Sequence, residues 1–152
     1  MFSRIGVLAL VALCACDVST PREAARPSAQ DTLQLAMSSY DPAAFDSIRW
    51  ASDSAAYVRG ADVFKWDCSA CHGPAGRGDA GFVNERGDTM RPPSFVQANW
   101  RFANDPNGLR RQIFVGNTQG MPHWGLRRMQ VRDIDAVARY IENVLRAEVR
   151  SN

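Results

Sequence analysis

The stretch Cys-Ser-Ala-Cys-His at residues 68–72 constrains this chain more than any other feature. It places two residues between Cys68 and Cys71, with His72 directly after the second cysteine. Cysteine pairs at this spacing serve three chemistries in proteins: a thiol–disulfide couple, half of a zinc site, or covalent attachment of haem. Each chemistry needs different surroundings, so the rest of the chain decides between them.

A thiol–disulfide couple needs its first cysteine at the start of a helix that follows a β-strand, because the helix N-terminus lowers the thiol pKa. Here an apolar stripe with helical spacing runs from Tyr57 through Ala61 and Phe64 to Cys68. The stripe predicts a helix of about four turns that begins near Ser52 and ends at the first cysteine. The setting that a redox couple needs is therefore absent from the predicted structure.

A zinc site needs four ligands, normally as two pairs separated along the chain. After the first 16 residues the chain offers only Cys68, Cys71, His72 and His123, and ligands at adjacent positions rarely bind one tetrahedral ion. Haem attachment needs two thiols for the two vinyl groups and a neighbouring histidine for the iron. The C-x-x-C-H order supplies all three, so we interpret this motif as the attachment site of one haem c.

The N-terminus has the features of an export signal. Arg4 precedes an apolar run from Ile5 to Ala15, which at about 1.5 Å per residue is too short to cross a hydrocarbon core of about 30 Å. Residues 1–15 are therefore predicted to be a signal peptide. The run ends in Leu-Cys-Ala-Cys, which resembles a bacterial lipobox and predicts lipidation of Cys16 at the periplasmic face of a bacterial membrane. Ordinary secretory cleavage near the same place is the alternative.

Residues 16–49 are predicted to be a tether between the lipid anchor and a folded domain. Residues 17–30 are rich in Pro, Ser, Ala and charged residues, as flexible linkers are. From Leu33 to Trp50, large apolar side chains recur without a helical period. We therefore expect this stretch to run extended along a membrane-bound redox complex or terminal oxidase. The alternative is that it folds back across the surface of its own domain.

Two further helices are predicted from their ends and their apolar spacing. Asp105 is a capping residue, Pro106 suits the first helical position, and Gly116 suits the end of a helix. The last helix is predicted from Arg132 to about Arg146. Its inward-facing residues are predicted to be Ile134, Val137, Ala138, Ile141, Val144 and Leu145. No run alternates with period two for long enough to build a sheet, so the fold class is all-α.

Length and charge limit the other possibilities. The chain has 152 residues, which suits one ordinary domain, predicted over residues 50–152. The net charge is +2 and the basic residues form no cluster along the sequence, so nucleic-acid binding is not expected.

A single haem needs either a sixth iron ligand or an open coordination position. Met121 is the candidate ligand, because it lies between a glycine and a proline that hold its loop rigid, and thioethers bind haem iron in cytochromes. Met90 and Met129 are competing thioethers, and His123 would make a bis-histidine site. The commonest role of a methionine is to fill space in the hydrophobic core, and this is the alternative for Met121.

Together these motifs resemble the class I monohaem cytochromes c over roughly two-thirds of the chain. The family pattern has a glycine, an aromatic residue four positions later, and C-x-x-C-H four positions after that; Gly60 and Phe64 complete it here. The family loop Gly-x-x-x-Gly-Met-Pro appears at residues 116–122. In the family, the glycine and the aromatic residue contact an aromatic residue of the last helix, a place that Tyr140 takes in this chain.

The resemblance implies a small cytochrome c fold, with three to four helices around one covalently attached haem. The implied cofactor contacts are Cys68, Cys71, His72, Met121, Pro74, Trp100 and Arg101. The two cysteines would form thioethers, and His72 and Met121 would be the axial ligands. Pro74 or a neighbouring carbonyl would accept the proton of His72 Nδ1, and Trp100 or Arg101 would contact a haem propionate.

The function that follows is outer-sphere transfer of single electrons in a bacterial electron-transport chain, without catalytic residues or a small-molecule substrate. Filling both axial positions leaves no site for oxygen or peroxide at the iron. The alternative is a pentacoordinate haem enzyme, similar to a peroxidase, or a haem sensor, in which Met121 only packs. That alternative lacks a second histidine on an opposing helix.

Overall fold

The structure, a computed structural model, describes residues 27–84 and 87–150. The predicted signal peptide and the predicted lipidation site at Cys16 lie outside the described residues. Nearly all of the regular structure is helical, which confirms the predicted fold class. In chain order the elements are α1 (Ala29–Ser38), α2 (Asp53–Val63), α3 (Ser69–His72), β1 (Phe82–Val83), β2 (Thr89–Met90), α4 (Pro106–Val115), α5 (Val131–Tyr140) and α6 (Ala147–Arg150).

The helix ahead of the haem-binding motif begins where it was predicted, near Ser52, but it does not end at Cys68 as predicted. It begins after Ser52, whose side chain accepts the Ala55 N–H and so satisfies one free donor of the first turn. After α2 the chain passes through one π-helical turn, Phe64–Cys68, directly into α3. In this turn the Ser69 N–H donates to the Phe64 carbonyl, five residues back. A continuous helical segment therefore carries both cysteines and ends at His72.

Helix α2 crosses helix α5 at Gly60. A Cβ atom at this glycine would lie 2.2 Å from the Ala136 carbonyl oxygen and 2.6 Å from Tyr140 Cβ. Next to the crossing, the rings of Phe64 and Tyr140 have centroids 5.7 Å apart. The predicted close approach at Gly60 and its aromatic neighbour on the last helix are both confirmed.

The buried face of α2 differs from the predicted stripe by one residue. Ala56, Gly60 and Val63 are buried, whereas Tyr57 and Ala61 are only half-buried. The reason is the crossing itself: α5 approaches the backbone at the residue without a side chain, so the face centred on that glycine turns inward. The apolar spacing in the sequence predicted the neighbouring face instead, because that face carries the larger side chain of Tyr57.

Helix α4 has the predicted ends. The Asp105 carboxylate accepts the Gly108 N–H at 2.8 Å, Pro106 occupies the first position, and Gly116 follows the last residue with a φ of 66°. Leu109 is buried on its inner face. These end signals determine the residue at which α4 ends. The loop that carries Met121 begins directly after this residue.

The last helix is wider than predicted after residue 140. A π-helical turn covers Ile141–Leu145, and the Arg146 N–H donates to the Ile141 carbonyl at 3.1 Å. The wider turn shifts the inward face by about one residue, because five rather than four residues separate donor and acceptor. Val144, predicted to face inward, is therefore 41% exposed, and Arg146 is 3% exposed.

One short β-hairpin lies between α3 and α4. Strand β1 pairs with β2 in antiparallel register, with Phe82 opposite Met90 and Val83 opposite Thr89. The prediction that no sheet forms needs this correction. Strands of two residues are too short to show alternation in the sequence, and backbone pairing alone defines them.

The segment before the predicted domain is not extended, and that prediction was wrong. Helix α1 forms because Ser28 accepts the Asp31 N–H while the Asp31 carboxylate accepts the Ser28 N–H, a capping box. A 3₁₀ turn follows over Pro42–Phe45, capped by Asp41. Local capping signals thus gave this stretch regular structure that its apolar spacing did not reveal.

The same segment packs on its own domain, as the alternative prediction had it. The Phe45 side chain is 8% exposed, and the Tyr40 ring meets the Phe114 ring edge-on at 5.4 Å. The Trp50 indole N–H donates to the buried Asp135 carboxylate on α5 at 2.7 Å. Docking of this segment on a partner complex stays a prediction.

The described helices enclose a single apolar core. Its buried members are Phe45, Val63, Phe64, Phe95, Trp100, Leu109, Ile113, Ile134, Val137, Ala138 and Ile141. Within the described residues, none of the helices combines the length and the apolar character needed to cross a bilayer.

Candidate functional site

A cavity of about 290 Å³ lies where the Cys–His motif meets the loop after α4. Cys68, Cys71, His72 and Met121 all line it, although the methionine comes from a distant part of the sequence. Its surface is mostly apolar and includes core side chains such as Trp100. The fold therefore brings the four main predicted cofactor contacts to one cavity.

The two cysteines are half-buried free thiols at the junction of the π-helical turn and α3. Burial raises the pKa of the Cys68 thiol to about 12, and the nearby Asp67 and Cys71 act in the same direction. A thiol with so high a pKa is protonated at neutral pH and does not supply the thiolate that disulfide exchange requires. The protonated Cys68 thiol is therefore not suited to be the attacking group of a thiol–disulfide couple.

His72 ends α3 and points a largely neutral imidazole into the site. Burial lowers the pKa of His72 to about 4, so the ring is unprotonated at neutral pH, the form that binds metal ions. The ring stacks on Phe95, with centroids 4.5 Å apart. Among the described residues His72 Nδ1 has no hydrogen-bond partner, and Pro74, its predicted acceptor, is exposed. The role of Pro74 stays a prediction.

The loop that carries Met121 is held by its own side chains. The Asn117 carboxamide oxygen accepts the N–H of Gln119 at 2.8 Å and that of Met121 at 3.1 Å. The Asn117 N–H in turn donates to the Met121 carbonyl at 3.1 Å. At Gly120, with a φ of 127°, a Cβ would lie 2.3 Å from the Phe82 ring. The loop is therefore fixed both internally and against the β-hairpin.

Gln112 on α4 is a residue of the site that the sequence analysis missed. Its side-chain N–H group donates to the Met121 sulfur at 3.5 Å and to the Gly116 carbonyl at 3.1 Å. These bonds anchor the thioether to the end of α4 and occupy one lone pair of the sulfur. The only sequence signal was its position one helical turn before the capping glycine, which by itself does not indicate a ligand contact.

The competing ligands differ in where they lie. Met90, on β2, also lines the cavity, whereas Met129 packs against the hydrophobic core and is not part of the cavity wall. His123 is tied to the Val115 carbonyl through Nδ1 and does not line the cavity either. Location therefore leaves Met90 as the one competitor of Met121 among the four residues considered.

Trp100 and Arg101 occupy the wall as expected for residues near a cofactor. Trp100 is 6% exposed, and its ring meets Phe95 at 5.4 Å between centroids. Arg101 is exposed, and its guanidinium lies over the Phe102 ring at 4.6 Å. Contact of either residue with a haem propionate stays a prediction.

The residues present fit haem c and do not fit zinc. Among the side chains that the structure describes, no group of three or more His, Cys, Asp or Glu residues is arranged to hold a metal ion. A haem macrocycle is largely apolar, haem c is attached through two thiols, and a neutral imidazole and a thioether are the iron ligands of many cytochromes c. Cys68, Cys71, His72 and Met121 supply these groups at one apolar cavity.

Comparison with known proteins agrees with this fit. The family model for cytochrome c oxidase, cbb3-type, subunit III matches residues 55–141. Two relatives are the Cbb3-type cytochrome c oxidase subunits CcoP of Azospirillum brasilense, 31% identical over 94 residues, and of Azospirillum sp. (strain B510), 30% identical over 96 residues.

Each of these alignments covers 62% of this chain but only 30% of the relative, so the chain matches less than a third of their length. No solved structure matches the chain. A cytochrome c domain implies covalently bound haem c, which confirms the predicted cofactor and the resemblance to cytochromes c. The chain belongs to the family of the cytochrome c oxidase, cbb3-type, subunit III.

Proposed function

We propose that this protein is a one-electron carrier that uses the Fe(III)/Fe(II) couple of haem c as a subunit of a membrane-bound oxidase complex. The observation that carries the proposal is the shared cavity. The C-x-x-C-H motif and the Met121 loop both line it, and the methionine sulfur is held by a hydrogen bond. In such a site His72 and Met121 would supply an imidazole and a thioether to hold an iron.

Each side chain of the site has a distinct role in this proposal. Cys68 and Cys71 hold the cofactor through thioether bonds, and His72 offers a neutral imidazole. Met121 offers a thioether, which relative to a second histidine favours the reduced state of the iron. The apolar wall excludes water, which also disfavours the more highly charged oxidised state. These residues bind and tune the cofactor without transferring protons.

The partner and the anchor are further parts of the proposal. The relatives are named as subunits of cbb3-type oxidase, and we propose a complex of that kind as the partner of this chain. The Leu-Cys-Ala-Cys sequence supports a lipid anchor on Cys16 at the periplasmic face. Fractionation of a Cys16→Ala variant tests the anchor: the protein should leave the membrane fraction or accumulate as the uncleaved precursor.

The function is tested by the visible spectrum of the purified haem protein. Methionine-ligated ferric haem has a weak long-wavelength charge-transfer band, and the wild type should show it. The Met121→Ala variant should lack this band, and its reduction potential should be lower than that of the wild type. Met129→Ala is the matched control, because that side chain lies outside the cavity wall.

Two outcomes would contradict the proposal. A high-spin spectrum of the wild type, with carbon monoxide binding and peroxide turnover, would support the pentacoordinate haem enzyme or sensor. Loss of the band in Met90→Ala but not in Met121→Ala would move the sixth ligand to the β-hairpin, which also lines the cavity.

A further inference from the structure

Arg146 is a buried cation behind the wall of the haem cavity. Only 3% of the residue is exposed, which is unusual for an arginine. The π-helical turn before it causes this burial, because it rotates position 146 inward. The charge of a guanidinium persists at any pH that a folded protein tolerates. The fold therefore keeps a permanent positive charge inside this part of the molecule.

The guanidinium contacts two residues of the cavity wall, Phe95 and Trp100, and also the neighbouring Gln97. One of its NH₂ groups donates to the carbonyl oxygens of Phe95 and, at 3.1 Å, of Gln97. Its central carbon lies 4.8 Å from the centroid of the Trp100 ring. Phe95 and Trp100 both line the cavity, and Phe95 stacks on His72. One layer of side chains thus separates the charge from the cofactor space.

No ion pair neutralises this charge among the described residues. Carboxylate oxygens lie within 4.0 Å of Arg59, Arg110 and Arg139, and none is found within that distance of Arg146. Its Nε atom is buried, and no hydrogen-bond partner for it is found in the part of the chain that the structure describes. The buried Asp135 offers a contrast, since it is paired with two of those arginines and accepts a hydrogen bond from Trp50.

Glu142 is the acidic residue one turn earlier on the same helix, and it is also buried, with 6% of its surface exposed. Its carboxylate has contacts of its own. When ionised, this carboxylate offsets part of the field of the guanidinium. The guanidinium itself contacts Phe95 and Trp100, which line the cavity.

We infer that Arg146 raises the reduction potential of the haem in this cavity. Oxidised haem carries one more positive charge than reduced haem, so a nearby fixed cation destabilises the oxidised state. The interaction is strong for its distance because the intervening side chains are buried and the local dielectric constant is low. The inference assumes the electron-transfer function proposed above and names the residue that tunes it.

The test compares midpoint potentials of the haem protein by spectroelectrochemistry. Arg146→Gln removes the charge but keeps an amide that donates to a carbonyl, and its potential should fall below that of the wild type. Arg146→Lys, measured at mildly acidic pH where a buried ammonium keeps its proton, should lie closer to the wild type. Arg111→Met, which removes a charge from an exposed position of α4, is the matched control.

The midpoint potential of Arg146→Gln should fall by an amount that is the same at low and high salt. The potential of Arg111→Met should fall less, and this smaller change should disappear at high salt because exposed charges are screened. A purely structural role would lower the melting temperature and leave the potential unchanged, which would overturn the inference. If the glutamine variant does not fold, Arg146→Met decides, because it removes the same charge and fills the same buried space with an apolar side chain. A potential equal to that of the wild type would overturn the inference. The wild-type spectrum tests the proposed function separately.

Discussion

Replacing Gly60 with alanine is expected to destabilise the protein substantially, although alanine is the better helix former. The new Cβ would lie 2.2 Å from the Ala136 carbonyl oxygen and 2.6 Å from Tyr140 Cβ. Ordinary contacts between carbon and oxygen are about 3.3 Å or longer. Helices α2 and α5 would therefore have to separate by roughly 1 Å, which forfeits up to about half of the dispersion energy of the atoms at the contact.

The magnitude follows from two opposing effects. Overpacking a closely packed contact costs about 1–3 kcal/mol, and this contact belongs near the upper end because a backbone carbonyl cannot move aside. The helix propensity of alanine returns about 1 kcal/mol. The net loss is about 2 kcal/mol. For a folded unit of somewhat more than about 100 residues each kcal/mol lowers the melting temperature by about 4 °C, so we expect a fall of about 8 °C.

Thermal unfolding of the haem-loaded protein, followed by circular dichroism, measures this change. Val58→Ala is the matched control: Val58 lies on the same helix and is 63% exposed, so alanine there should leave stability unchanged or slightly raised. If Gly60→Ala were as stable as the wild type, α2 and α5 would not cross at this residue. The whole orientation of the cysteine-bearing helix would then need revision.

Three other predictions concern the cofactor and the N-terminal segment. Cys68→Ala should retain much less haem after denaturation and acid–acetone extraction, because one thioether is lost; full retention would contradict covalent attachment there. Gln112→Leu should lower the reduction potential and cost about 1 kcal/mol of stability, measured by voltammetry and urea unfolding, because the hydrogen bond to the sulfur is lost. Deleting residues 31–48 should lower the melting temperature, because it removes the buried Phe45, which alone contributes about 2 kcal/mol, and exposes the core around it. An unchanged melting temperature together with loss of the partner would instead support docking of this segment on a complex.

Features of the site that depend on neighbours in the sequence could be predicted. The C-x-x-C-H motif needs no tertiary information, because vinyl spacing and the adjacent imidazole are local requirements. The ends of α4 follow from Asp105 and Gly116, whose capping contacts span only a few residues. Met121 was predicted from its loop, and the structure places it at the cavity with the cysteines. Its role as a ligand stays a prediction.

Features that depend on contacts between distant segments could not be predicted. Gln112 contacts the Met121 sulfur only because α4 ends where its loop turns back. The capping box at Ser28 was present in the sequence, but whether α1 would pack on this domain depended on Tyr40 and Phe45 finding partners on other helices.

The sequence by itself determined the all-α class, the haem-binding motif and the glycine at which two helices cross, since each is a local pattern. Only the tertiary structure decided which face of α2 is buried and which residues after Tyr140 face the core. The π-helical turn there buries Arg146 and exposes Val144. Helical periodicity assumes a constant turn, and a π turn breaks it when packing of the whole helix stabilises the wider geometry. The charge behind the haem cavity is thus a property of the packed fold.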